Sequence, residues 1–126
     1  MPLTALLLAS CFAAADGRTD YLLYCGGCHL EDGTGDPPEV PNLRIDVDRF
    51  AASDAGRAYL TQVPGAAQVP ISDARLAAVL NWMLANYYPE RTFASFNAAE
   101  VATHRGQRLM DPLKKRQELL EALESP

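Results

Sequence analysis

The clearest hydrophobic rhythm in the chain lies in its second half, where Leu76, Val79, Leu80 and Met83 recur at i, i+3, i+4 and i+7. That spacing predicts a helix with one apolar stripe. Ser72 reads as its N-cap, with Ile71 before it and Leu76 at the fourth helical position as a hydrophobic staple. Tyr88-Pro89 ends it, because the residue before a proline is pushed out of the α region. Trp82, inside this helix, is explained by core packing alone. Upstream, Asp20-Tyr21-Leu22-Leu23-Tyr24 predicts the end of a short helix with Thr19 or Asp20 near its start. Val47 to Leu60 accommodates one or two short helices, whereas Asp32 to Pro38 and Gln62 to Pro70 read as loops from their glycines and prolines. Downstream, Asn97-Ala98-Ala99-Glu100 has the form of a capping box opening a helix that Gly106 closes. Asp111-Pro112 then supplies the N-cap and first position of a last helix carrying Leu113, Leu120 and Leu123. Every predicted element is helical, which makes the expected fold class all-α.

The first fifteen residues have a different pattern. Leu3 to Ala15 is apolar apart from Thr4, Ser10 and Cys11, and it falls short of the roughly twenty residues a membrane-spanning helix needs. It reads as a secretory leader, with Ala13-Ala14-Ala15 as the small-residue cleavage pattern, although its start carries no Lys or Arg. Leu8-Ala9-Ser10-Cys11 also resembles a bacterial lipobox, which would make Cys11 a lipid anchor and the sole membrane attachment. Either form places the mature protein outside the cytoplasm, in the periplasm or an equivalent space. The expected organisation is a leader over 1–15, a main domain over 16–88 and a helical extension over 89–126.

Composition narrows the function. With a formal net charge of −5, the chain lacks the basic footprint that phosphate binding requires, so nucleic acid is excluded as a partner. A protein with a cationic patch is the better match. Aromatic residues make up only 8% of the chain, a thin supply of core for one small domain.

Cys25-Gly26-Gly27-Cys28-His29 carries the chemistry. C-x-x-C-H is the attachment pattern of a covalent c-type haem, with the two thiols as thioether anchors and the histidine as iron ligand. Zinc would want four N or S ligands at matched spacings, and outside the pentad only Cys11 and His104 remain. A thiol-disulfide exchanger would place C-x-x-C near a βαβ pattern, and no strand-rich run precedes Cys25.

The run from Cys25 through Gly33-Thr34-Gly35 to Val40-Pro41-Asn42-Leu43 resembles the class I cytochromes c. The resemblance covers about Asp16 to Tyr88 and implies a helical domain wrapped around one covalent haem c. It assigns Cys25 and Cys28 to the vinyl groups and His29 to the iron. It also makes Pro41 the residue whose carbonyl accepts the Nδ1 proton of His29, which fixes the tautomer and raises the ligand's basicity. The helix over Leu76 to Met83 then corresponds to the family's C-terminal helix. Class I cytochromes c usually offer a Met from the loop before that helix, but here the loop Val63 to Pro70 contains no Met, His, Cys or Lys. Met83, Met110 and His104 are the remaining candidates for the sixth position, with water or an open iron as the alternative. The resemblance implies a one-electron carrier that meets redox partner proteins rather than an enzyme. A five-coordinate haem protein that binds a small ligand, as gas sensor or weak peroxidase, is the alternative. Arg105, Arg108, Lys114, Lys115 and Arg116 make the extension the basic part of an acidic chain, read either as a solvated helix face or as a docking strip for an acidic partner. Phe93 and Phe96 are expected to pin the extension onto the main domain.

Overall fold

The computed structural model describes residues 16–125, so the predicted leader and Cys11 lie outside the described residues. Eight helices and no strand occur among the described residues: α1 (Gly17–Tyr24), α2 (Gly26–His29), α3 (Val47–Ala51), α4 (Asp54–Gln62), α5 (Pro64–Gln68), α6 (Asp73–Tyr87), α7 (Ala98–Arg105) and α8 (Pro112–Glu124). None is long and apolar enough to cross a membrane. The all-α expectation is met.

The longest helix, α6, organises the rest. Its N-cap is Ser72, whose hydroxyl accepts from the Arg75 amide at 3.2 Å, and Leu76, Val79, Leu80 and Met83 are all buried on its inner face. α1 crosses it closely because α1 begins with a glycine. A Cβ on Gly17 would fall 2.2 Å from the Ala78 carbonyl oxygen, inside any tolerable contact. Tyr21, Trp82 and Tyr87 then cluster at the crossing, with ring centroids 5.0, 5.9 and 6.0 Å apart in pairs. A buried carboxylate adds a polar lock, Asp20 accepting from Arg75 Nε at 2.9 Å and from its Nη2 as well.

Local boundaries depart from the sequence expectation in four places. α1 starts at Gly17 rather than at Thr19 or Asp20, because the N-cap Asp16 accepts from the Arg18 amide through its carboxylate and so satisfies one of the unpaired donors at the helix start. The expected loop Gln62 to Pro70 contains α5, with Pro64 in its first turn; proline there has its φ already helical and gives up no hydrogen bond, and Ala66-Ala67-Gln68 favour the turn. At α7, Asn97 caps as expected by accepting from the Glu100 amide at 2.9 Å. The Glu100 carboxylate, however, does not close the box. It pairs with Arg57 of α4 at 2.6 and 2.7 Å, a stronger charge-assisted bond than the one it forgoes. In α8 the buried leucine is Leu119, while Leu113 and Leu123 are exposed.

Residues beyond Pro89 fold back onto α6 and α4. Phe96 is buried and its backbone is bracketed by Asn81, which donates to the Phe96 carbonyl at 3.0 Å and accepts from its amide at 2.8 Å. Arg57 stacks 3.9 Å from the Phe96 ring centroid and donates to the Ala94 carbonyl at 2.9 Å. Phe93 is half-buried, with its ring edge-on to Tyr88.

Candidate cofactor site

The pentad sits at the junction of α1 and α2, where Cys25 is both the C-cap of α1 and the N-cap of α2. Its amide donates to the Tyr21 carbonyl at 2.8 Å, and the His29 amide in turn donates to the Cys25 carbonyl at 2.9 Å. The two thiols and the imidazole therefore belong to one continuous turn of backbone. Both cysteines are free thiols. Burial pushes the Cys25 thiol up to about 11, with the charges of Asp20 and Cys28 adding to it.

The chain must reverse after His29 to bring Pro41 back, and short-range bonds do this. Gly35 adopts φ +63 where a Cβ would meet the Val40 carbonyl oxygen at 2.5 Å, so only glycine fits that turn. Its amide donates to the His29 carbonyl at 2.9 Å, and Asp36 and Val40 exchange two backbone bonds of 2.9 and 3.0 Å. Three buried phenols fix the loop to the helices. Tyr21 donates to the Leu30 carbonyl at 2.7 Å, Tyr87 to the Glu31 carbonyl at 3.1 Å and Tyr88 to the Leu43 carbonyl at 2.9 Å. Burial raises the pKa of all three, that of Tyr88 to about 12, so each stays a neutral donor at physiological pH.

The outcome is a contact of 3.0 Å between His29 Nδ1 and the Pro41 carbonyl oxygen. A carbonyl only accepts, so Nδ1 carries the proton and Nε2 presents its lone pair. Burial pushes the imidazole pKa down, against a smaller opposing effect of the Pro41 carbonyl, which favours the neutral, ligating form.

Cys25, Cys28, His29 and Pro41 all line one cleft of about 340 Å³. Its other walls come from α4, from α5 and the residues just after it, from α6, and from the start of α8; they are largely aliphatic, including Leu60, Val63, Val79 and Leu80. An apolar slot with two free thiols and one oriented imidazole on its wall fits a covalently attached porphyrin, flat and apolar over its faces. No group of three or more His, Cys, Asp or Glu that could hold a bare metal ion occurs among the described residues.

The three sixth-position candidates are placed very differently. Met83 lines the cleft from α6, where it is buried. Met110 is 83% exposed, and neither it nor His104 lines the cleft. Two lining residues that sequence reasoning missed are Tyr59 of α4 and Arg116 of α8. No local signal marks them, since their position depends on how α8 packs against α4.

Two of the extension's cations, Arg105 and Arg116, are largely buried instead of lying on an exposed face. Arg105 turns inward, donating to the carbonyls of Ala67, Val69 and Ile71 and to Asp73, where it satisfies carbonyls that α5 leaves open. Arg116 donates to Ile45 and Asp46, and Lys115 pairs with Glu118.

No family model matches the chain. Cytochrome c-552 of Thermus thermophilus is 30% identical to it over 125 residues, an alignment covering 82% of this chain and 84% of the relative. With that similarity over most of both chains, and with an all-helical fold around a cleft lined by the pentad, the protein belongs to the c-type cytochromes.

Proposed function

We propose that this protein is an extracytoplasmic one-electron carrier of the class I type, holding one haem c covalently through Cys25 and Cys28. The observation that carries the reading is the His29 Nδ1 contact of 3.0 Å with the Pro41 carbonyl inside the cleft that the two thiols line. The haem, when bound, supplies an iron that alternates between ferrous and ferric states. Cys25 and Cys28 would hold the porphyrin, each by addition of its S–H across one vinyl double bond, a step that needs no oxidant. His29 holds its Nε2 lone pair toward the cleft because its Nδ1–H donates to the Pro41 carbonyl, and the loop tethers from Tyr21, Tyr87 and Tyr88 keep that orientation fixed. A fixed orientation keeps ligand geometry alike in both oxidation states, which is the property an electron carrier needs. The aliphatic walls exclude water from the same space and favour the less charged state.

The leader pattern of residues 1–15 supports an extracytoplasmic destination, and the net charge of −5 supports a redox partner with a cationic face. Small-ligand binding is the second reading, favoured by the absence of any Met, His, Cys or Lys in Val63 to Pro70. The mass of the purified mature chain tests the proposal, since one covalent haem adds one porphyrin mass that survives acid-acetone extraction. A colourless chain of polypeptide mass, from a host able to mature such proteins, refutes it. Carbon monoxide added to the reduced protein separates the two readings: no binding favours the carrier with an occupied sixth position, and binding favours an open iron.

A further inference from the structure

Helix α8 carries its charges in the order opposite to the one its dipole favours. Lys114, Lys115 and Arg116 stand in its first half and Glu118, Glu121 and Glu124 in its second, with no acidic residue in the first turn and no basic one in the last. A helix dipole favours anions at the N-terminus and cations at the C-terminus, and α1, α3, α4, α6 and α7 each place an acidic side chain in the first turn. Contacts within the chain offset only part of the reversal. Lys115 pairs with Glu118 at 3.7 Å, Arg116 with Asp46 at 3.3 Å and Glu124 with Arg49 at 4.0 Å. Lys114 and Glu121 are exposed and have no ion-pair partner among the described residues. They share one edge of α8 with Gln117, which stands three residues from the first and four from the second and donates to Glu121 at 2.9 Å. Beside this edge runs a groove of about 380 Å³, with Leu113, Gln117 and Leu120 on its helical side and Pro37, Pro38 and Ile45 on the other. Ile45 is 54% exposed and Leu113 41%. Arg116, the one charged side chain on the groove wall among the described residues, is turned to the Ile45 carbonyl and Asp46.

The symmetry of these charges selects the occupant. A partner of single sign would be repelled by half of the edge. A second α8, laid antiparallel about a two-fold axis passing near Gln117 and Glu118, sets Lys114 of each copy opposite Glu121 of the other, because the two stand equally far from that axis. Both pairs form at once, the two helix dipoles oppose each other, and the apolar grooves beside the edges come together. We infer that the protein pairs with a second copy of itself through this edge of α8 and its adjoining groove. Pro41, Leu113 and Arg116 line both the groove and the cofactor cleft, so the pairing sets the two cofactor clefts on either side of one interface. The inference goes beyond the electron-carrier reading and assigns a specific task to the extension.

The test is sedimentation equilibrium of the holoprotein at about 0.15 M salt, with Lys114→Glu, Glu121→Lys and the double exchange. The wild-type mass is expected to climb toward twice the monomer as concentration approaches about 1 mM. Either single reversal sets like charges opposite each other at two symmetry-related places and is expected to raise the dimer Kd roughly tenfold or more. The double exchange restores the wild-type Kd. So does an equimolar mixture of the two single variants, in which the altered position of one copy faces the altered position of the other. A wild-type chain that stays monomeric throughout overturns the inference. A dimer that both single reversals leave unchanged also overturns it, because another face then holds the copies together, and so does a loss that neither the mixture nor the double exchange restores. Absorbance of attached haem in the same samples reports cofactor loading separately, so failure of haem attachment, which refutes the electron-carrier reading, is distinguishable from failure to pair.

Discussion

Substituting Gly17 by Ala probes the contact on which the helix crossing depends. The added Cβ would lie 2.2 Å from the Ala78 carbonyl oxygen, 2.7 Å from its carbon and 2.8 Å from Trp82 Cβ. Two of these are backbone atoms in the middle of α6 and cannot rotate away. Relief to an ordinary contact of 3.4 Å requires a displacement of roughly one ångström, and that displacement opens the Tyr21–Trp82–Tyr87 cluster. Overpacking of this kind costs about 1–3 kcal/mol. Alanine returns about 0.5–1 kcal/mol through its better helix propensity. The clash wins, leaving a net loss of roughly 1–2 kcal/mol, or on the order of 5–10 °C in Tm for a domain of this size. Gly106→Ala is the internal control, because a Cβ there meets nothing within 4 Å and the backbone φ of −66 suits alanine; it is expected to be neutral or stabilising. Thermal melts of both holoproteins by far-UV circular dichroism decide the matter. If Gly17→Ala melts at or above the wild-type temperature, the close approach of α1 and α6 is not what the structure gives it to be.

Arg57→Leu removes a guanidinium with 11% exposure and leaves Glu100 without its bidentate partner; a loss of about 3 kcal/mol is expected, with hydrogen exchange of residues 94–105 accelerating before that of α6. Tyr88→Phe deletes the bond to the Leu43 carbonyl and should cost about 1 kcal/mol in urea titrations, and an unchanged midpoint would remove that phenol from the set of loop tethers. Asp16 has its carboxyl held below the ordinary value, chiefly by the Thr19 hydroxyl. Its contribution is therefore present above the unfolded-state pKa of about 4 and vanishes as pH falls through the lower folded value. Asp16→Ala should be less stable than wild type at neutral pH and converge with it in acid, as melts across that range would reveal.

How much of the architecture could be read from the residues depended on the range of the interaction involved. Ser72, Asn97 and Asp111 each cap a helix by accepting from an amide three residues on, so a window of four residues contains the whole cause. The inner face of α6 is legible for the same reason, since its period is written in the apolar residues themselves. The site is legible along a longer span only because its pattern recurs in a family, which put Pro41 in register with His29. The capping of α1 by Asp16 and the presence of α5 were missed because turn-forming and helix-starting residues are largely the same residues. Pro64 and Gly65 signal a break when weighed as breakers, and a first helical turn when a proline stands at its start.

Charges were the least legible, and the reason is geometric. Glu100 looks committed to its own helix start until Arg57, 43 residues earlier, is seen to reach it. Arg105 and Arg116 look like members of a basic surface run, yet they bond to groups 32 to 38 and 70 to 71 residues away. A guanidinium has a long apolar stem and five donors, so it can be surface-like in sequence while it is partly buried in the fold. Removing these two cations from the exterior leaves Arg108 and Lys114 as the extension's exposed positive charges without a carboxylate partner among the described residues. The arginine that sequence offered as a contact for another protein is thereby a wall of the cleft, where its charge acts on whatever the cleft encloses.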